Sequence, residues 1–353
     1  MANLCNDLKV CAEHLQQGNL VAFPTETVYG LGANALNEEA VRKIFQAKRR
    51  PLNDPVIVHV NSIQEALNLI DENDQEILNT YQYLASQFWP GPLTIICKAG
   101  PLISPVLTAN TGFVGIRSPR HPLAQQLIAT AGVPIAAPSA NLFSHVSPTS
   151  AGHVMQDFHD SDFDIKVLDG GKCTFGIEST VAKLYREEDE LKLLVLRKGG
   201  VSERNLSEAL EGRNVRVSSR QNYLEHQTNS EAPGQLIKHY SPNIDTYLVV
   251  NNSQNEGQEL HNLSEAIVID YHGLLSHINC KARRELSEEG KIDEAINNLY
   301  ELLRWSEDQN GSYVLIPDLS HITDQHTAAL FDRIFRATSG RKVVIRDQNI
   351  YSL

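Results

Sequence analysis

Leu20-Val21-Ala22-Phe23-Pro24-Thr25-Glu26-Thr27-Val28-Tyr29-Gly30-Leu31-Gly32 is the stretch that decides how this chain of 353 residues folds. Its first four residues form an apolar run and read as a buried strand. Pro24 ends that strand, because proline has no N–H to give to a ladder. A polar patch follows at once, with Thr25, Glu26, Thr27 and Tyr29. Gly30 and Gly32 then let the backbone turn or pass close to another group. Polar groups gathered at a strand end are where α/β proteins place ligands.

Outward from that corner, Leu4, Leu8, Cys11 and Leu15 recur at helical spacing ahead of Gly18, which offers a stop. Asn37 caps a predicted helix from Glu38 to Ala47, with Val41, Ile44 and Phe45 facing the core. It runs into Lys48-Arg49-Arg50-Pro51, three cations that favour the negative end of a helix dipole. Val56 to Val60 reads as a strand, and Ser62 to Glu65 has capping-box spacing for the next helix. Further strands are predicted over Leu93–Cys97, Val114–Ile116, Pro134–Ala137, Val181–Leu184 and Leu193–Leu196, with a helix from His121 to Thr130. Several of these break in polar, Gly- or Pro-rich corners such as Pro138-Ser139-Ala140-Asn141, Gly176-Ile177-Glu178-Ser179-Thr180 and Arg197-Lys198-Gly199-Gly200.

The length favours two domains, each able to bury a core. Residues 218–230 are polar and aperiodic and read as a linker. Beyond them the order is strand, strand, long helix, strand, helix, over Tyr247–Val250, Ala266–Ile269, Ile292–Trp305, Tyr313–Ile316 and Thr327–Ala337. That alternation predicts a small α/β domain with a largely parallel sheet. The expected boundaries are 1–210, a linker over 211–243, and 244–353.

The net charge is −12. Residues 1–210 hold 17 Lys and Arg against 23 Asp and Glu, and the remainder holds 14 against 20, so each part stands at −6. An even acidic balance argues against a broad nucleic-acid or anionic-membrane surface. Five cysteines without a CxxC pair point to a reduced, cytoplasmic setting, and no apolar run is long enough for a membrane span. Zinc spacings, HExxH, GxGxxG, Walker A and GxSxG patterns are absent from the sequence. What the corners supply is hydroxyls (Thr25, Thr27, Ser139, Ser147, Ser179, Thr180) and separated cations (Lys48, Arg50, Arg117, Arg197). Such a set suits a polyanion bound beside a small polar molecule, as in phosphoryl or nucleotidyl transfer, where positioning and charge neutralisation do most of the catalysis.

These residues carry a resemblance. The 23–32 segment, Lys48-Arg49-Arg50-Pro51 with Val56-Ile57-Val58-His59, Trp89-Pro90-Gly91-Pro92-Leu93-Thr94, Arg117-Ser118-Pro119, Ala137–Asn141, Asp169-Gly170-Gly171 and Gly176–Thr180 resemble the threonylcarbamoyl-AMP synthase family, in its order and at similar spacing. Ala232-Pro233-Gly234 and His239-Tyr240-Ser241-Pro242, followed by a second domain, resemble its long form. The resemblance implies a YrdC-like twisted mixed sheet with helices around a large, positively charged cavity, plus a small Rossmann-like C-terminal domain. It implies condensation of L-threonine, bicarbonate and ATP, with Mg²⁺, into threonylcarbamoyl-AMP and pyrophosphate, and partner proteins that pass the group to an adenosine beside the tRNA anticodon. Residue by residue, it implies that Thr27, His59, Arg117, Ala137 (through its backbone) and Ser179 surround threonine. Lys48, Arg50, Asp54, Phe113 (through its backbone), Ser139, Asn141, Ser147, Arg197 and Tyr240 would surround ATP, with Lys48, Arg50 and Arg117 as the catalytic cations. Asp54 stands where the family usually has asparagine, and Gln235-Leu236-Ile237 departs from the family's linker pattern. Two rivals stay open on sequence alone. One is a nucleotide- or RNA-binding module without chemistry; the other is a related carbamoyl-transfer enzyme.

Overall fold

The computed structural model describes residues 1–219, 231–234, 239–250, 259–346 and 349–353. Most of the predicted linker over 218–230, and the Gln235-Leu236-Ile237 departure, lie outside the described residues. The chain divides into two compact units: Met1–Phe143 with Ser147–Leu236, and Ser144–Val146 with Ile237–Leu353.

The first unit contains, in chain order, β1 (Ala2–Leu4), α1 (Leu8–Gln16), β2 (Leu20–Phe23), β3 (Gly30–Asn34), α2 (Glu38–Lys48), β4 (Val58–His59), α3 (Ile63–Leu67), α4 (Gln75–Phe88) and β5 (Leu93–Lys98). It continues with β6 (Phe113–Arg117), α5 (Pro122–Ala131), β7 (Ile135–Ala136), α6 (Ala151–Asp157), β8 (Ile165–Val167), β9 (Thr180–Glu187), β10 (Glu190–Arg197), α7 (Glu203–Ala209) and β11 (Val215–Ser219). The strands form one mixed sheet in the order β1-β8-β2-β3-β7-β4-β6-β5-β9-β10-β11.

All four residues of β2 are buried, because its two faces meet different layers. Val21 and Phe23 pack with Leu15, Ala124 and Leu127 of α1 and α5, whereas Leu20 and Ala22 pack with Leu31, Val41 and Ile44. Burying each large side chain of this set stabilises the unit by roughly 1.5–3 kcal/mol. Beyond Pro24 the chain turns on Thr25, whose Oγ1 accepts from the N–H groups of Thr27 and Val28 and donates to the Val28 carbonyl. The chain then returns as β3, antiparallel to β2. The polar patch thus stands at the end of a central strand.

Helix α2 starts where expected, with Asn37 Oδ1 accepting from Ala40 N–H at 3.2 Å. Its end separates the three cations. Arg49 takes a left-handed φ of 54° and is exposed, which suits the helix-dipole explanation. Lys48 and Arg50 are buried, so that explanation does not cover them.

The predicted strand Val56–Val60 shortens to β4. The flanking N–H groups of Val56 and Val60 bond to the carbonyls of Leu107 and Arg117, and the Ile57 carbonyl accepts from Ala137 N–H. Toward the other edge, β9 and β10 form an antiparallel pair whose register slips between Val195 and Arg197. A bulge of this kind re-aims side chains. Strand β11 extends the sheet past residue 210 by pairing parallel with β10.

The second unit contains β12 (Asp245–Val249), β13 (Glu259–Asn262), β14 (Ala266–Asp270), β15 (Ala282–Glu285), α8 (Ile292–Glu307), β16 (Tyr313–Pro317), α9 (Thr327–Ala337), β17 (Lys342–Arg346) and β18 (Asn349–Ser352). Its sheet runs β13-β18-β17-β12-β16-β14-β15. The pairs from β17 to β15 are parallel, and β18 and β13 close one edge antiparallel. Ala266, Val268 and Leu315 are buried in its core, as the apolar runs of fully covered parallel strands require. Among the described residues no helix is long and apolar enough to cross a membrane.

Candidate active site

Arg117, the last residue of β6, is buried, and each nitrogen of its guanidinium meets a different group. Nε donates to the Gly91 carbonyl at 3.1 Å and Nη1 donates to Thr27 Oγ1 at 3.0 Å. Nη2 lies 2.7 Å from Glu26 Oε1, without an aligned hydrogen bond among the described residues. Glu26 Oε2 accepts from Arg120 N–H at 3.1 Å. The hydroxyls of Thr25 and Thr27 are 2.8 Å apart. The polar patch after β2 is therefore folded around one guanidinium that keeps an N–H group for another acceptor.

His59 ends β4, in parallel register with Arg117 on β6. Its Nδ1 lies 3.3 Å from the Ile135 carbonyl, and its ring sits edge-on to Phe23 with centroids 5.8 Å apart. Burial, and then the Arg117 charge, push the imidazole down to about 3, so the ring is neutral through the physiological range. With Nδ1 donating to Ile135, a neutral ring carries its lone pair on Nε2. Ala137 spends its N–H on the Ile57 carbonyl at 2.8 Å, which leaves its own carbonyl as the backbone group available to a ligand.

Ser179 meets Thr94 on one side and the Arg197 guanidinium on the other. Its Oγ is 2.8 Å from Thr94 Oγ1 and accepts from Arg197 Nη2 at 3.1 Å, while its carbonyl accepts from Arg197 Nε at 3.1 Å. The close approach of these two segments requires glycine at 199, where a Cβ would stand 2.3 Å from the Glu178 carbonyl oxygen. Ser147, fully buried, donates to Glu178 Oε1 at 2.6 Å.

Lys48 Nζ donates to the Ser139 carbonyl at 2.6 Å and to the Asn141 carbonyl. Burial, and then the Arg50 charge, hold its ammonium well below the usual lysine range. Arg50 Nη2 is 2.9 Å from Asp54 Oδ2. Asp54 also feels the charges of Lys48 and Arg197, yet burial outweighs all three cations and raises its carboxyl. The structure thus gathers Lys48, Arg50 and Arg197 about Asp54, although they come from α2, the loop after it and β10. Phe113 begins β6 with its N–H on Thr111 Oγ1 at 3.3 Å and the Lys183 ammonium 3.8 Å from its ring centroid.

Of the predicted site residues, Tyr240 belongs to the second unit. It is buried, with φ 60°; its ring stacks on Tyr300 with centroids 5.7 Å apart and lies 4.9 Å from the Arg333 guanidinium. Sequence reasoning gave no role to Glu26, Gly91, Thr94 or Glu178. All four sit inside quoted motifs, Glu26 beside Thr27 and Glu178 beside Ser179, so proximity was a usable signal. Gly91 acts through a carbonyl that no residue type reveals. Among the described residues no group of three or more His, Cys, Asp or Glu is placed to hold a metal.

Residues 13–199 match the family profile described as "Telomere recombination", and residues 201–339 match "Threonylcarbamoyl-AMP synthase, C-terminal domain". The threonylcarbamoyl-AMP synthase of Pyrococcus abyssi is 39% identical over 242 residues, covering 69% of this chain and 67% of that protein. The Bacillus subtilis protein of the same name is 42% identical over 230 residues, covering 65% and 62%. Among solved structures, P. abyssi Sua5 complexed with L-threonine superposes with a TM-score of 0.81 at 28% identity, covering 98% of this chain and 100% of the other.

Proposed function

The chain belongs to the threonylcarbamoyl-AMP synthase family, and on that premise we propose that it condenses L-threonine, bicarbonate and ATP into threonylcarbamoyl-AMP, releasing pyrophosphate and water. The product supplies the threonylcarbamoyl group for tRNA modification. The observation that carries this reading is the buried Arg117 guanidinium, held by Thr27 and Gly91 beside a neutral His59.

Each group has a defined task. Arg117 takes the threonine carboxylate through a charge-assisted bond. Neutral His59 and the Thr27 hydroxyl read the threonine side chain without presenting a charge to it. The Ala137 carbonyl accepts from the substrate nitrogen, and Ser179 stands between the amino acid and the nucleotide. The free amine of threonine adds to carbon dioxide supplied by bicarbonate, giving a carbamate. A carbamate oxygen attacks the α-phosphorus, and the bond to the β-phosphate oxygen breaks. Lys48, Arg50 and Arg197 neutralise the pyrophosphate as it leaves, while Ser139, Asn141, Ser147 and the Phe113 backbone position the nucleotide. Asp54 pairs with Arg50 among these cations, Asp157 also acts on Lys48, and Tyr240 is assigned to ATP by resemblance. Mg²⁺ enters as part of the substrate, bound to the ATP phosphates. The cytoplasm is the assigned compartment, with dedicated transfer proteins carrying the product to tRNA.

Pyrophosphate release by the purified protein tests the proposal. It is expected only when threonine, bicarbonate and ATP are all present. Release from ATP alone, or equal release without threonine, would reject the reaction as written.

A further inference from the structure

A carboxylate among cations meant for phosphate is out of place unless it does something there. The Asp54 side chain is buried and lies 2.9 Å from Arg50 Nη2. Arg50 is turned toward the same loop by bonds to two of its carbonyls, from Nε to Asp54 at 3.1 Å and from Nη2 to Pro55 at 2.8 Å. Neither carboxylate oxygen accepts an aligned hydrogen bond among the described residues. Among the described residues no neutral donor grips it: burial raises its carboxyl, and Arg50 first, then Lys48 and Arg197, oppose that by charge. A phosphate oxygen asks for the same surroundings, an acceptor-only anion facing guanidinium and ammonium groups.

We propose that Asp54 is a built-in counter-anion, which holds Arg50 in the empty enzyme at the place where a phosphate oxygen of the nucleotide docks. The inference rests on the reading of Lys48, Arg50 and Arg197 as the phosphate-binding cations. Lys48 also feels the charge of Asp157, but without Asp54 the three buried cations would repel one another more strongly and Arg50 would recruit a small anion. Asp54 satisfies Arg50 until a polyphosphate arrives, and it opposes that arrival by like-charge repulsion. It is therefore a residue that sets phosphate affinity, and replacing its charge should strengthen binding rather than abolish it.

The test is calorimetric titration of the full-length protein with inorganic pyrophosphate, with and without Mg²⁺, for wild type and Asp54→Asn. The proposal expects the variant to bind pyrophosphate at least tenfold more tightly in both conditions. It also expects saturating pyrophosphate to raise the melting temperature of the variant more than that of wild type, because the ligand supplies the missing anion. If the variant folds poorly alone, pyrophosphate present throughout purification should restore folded protein, and failure to do so overturns the proposal. Unchanged affinity overturns it. Weaker affinity recovered by added Mg²⁺ also overturns it and makes Asp54 a metal ligand instead. Wild type that binds neither pyrophosphate nor ATP would reject the phosphate reading itself, whereas tight wild-type binding with no gain in the variant rejects this inference alone.

Discussion

Arg117 illustrates how little of a site a residue type reveals and how much its neighbours add. As one arginine at a strand end it could be a surface ion pair. It is in fact buried and tied to Thr27, Gly91 and Glu26, and the proposed function makes it the receptor for the threonine carboxylate. Arg117→Ala should raise the threonine KM by the equivalent of about 2–5 kcal/mol, the cost of removing one partner of a desolvated charge pair. Steady-state kinetics on variant shown by circular dichroism to be folded would check this, and unchanged threonine dependence would remove the role.

His59 gives a pH signature. Its ring titrates near 6.5 in an unfolded chain but only at about 3 when folded. Between those values the unfolded state binds more protons, so this contribution to stability is full above 6.5 and is lost as pH falls through the window. By about pH 4.5 the loss is about 2–3 kcal/mol. Melting temperatures of His59→Gln should accordingly decline less between pH 6.5 and 4.5 than those of wild type.

At the scale of elements, the Arg197 and Ser179 bonds depend on two segments meeting backbone to backbone at Gly199. Gly199→Ala would place a methyl 2.3 Å from the Glu178 carbonyl. Relieving that overlap costs about 1–3 kcal/mol, and the backbone shift moves both Ser179 and Arg197. Thermal melts should show the destabilisation, and kcat/KM should fall by more than tenfold. Wild-type kinetics would show that the approach is not needed.

The same scale shows what was legible in the sequence. Helix α2 was readable because its cap, its apolar spacing and its basic end agree. The five principal elements predicted beyond the linker region correspond to β12, β14, α8, β16 and α9. Helix α4 went unread although Asp74 caps it and Ile77, Tyr81 and Leu84 follow at helical spacing. Strands β1, β8 and β15 also escaped. They are three or four residues long, and the partners of β1 and β8 stand far away in sequence, so no local pattern announces them. Lys48 and Arg50 were legible as cations but not as buried ones, because their burial depends on loops folded from 51–55 and 139–143.

At the scale of the molecule, the alternation of elements beyond the linker region predicted a second, small α/β domain, and the chain carries a second unit with a smaller sheet. Within the second, Tyr240 lies in an aromatic and cationic setting of Tyr300 and Arg333. Tyr240→Ala should therefore weaken that unit by about 3–5 kcal/mol through the cavity it leaves. Hydrogen-exchange mass spectrometry should then report faster exchange in α8 and α9. Unaltered exchange there would make the tyrosine dispensable to the unit.

The most direct test of the whole account is the identity of the adenylate made by the purified protein. Incubation with ATP, L-threonine, Mg²⁺ and ¹³C-bicarbonate, followed by mass spectrometry, should show threonylcarbamoyl-AMP carrying one labelled carbon, and none when threonine is withheld. An adenylate lacking the label, or ATP left intact beside a folded enzyme, would contradict it.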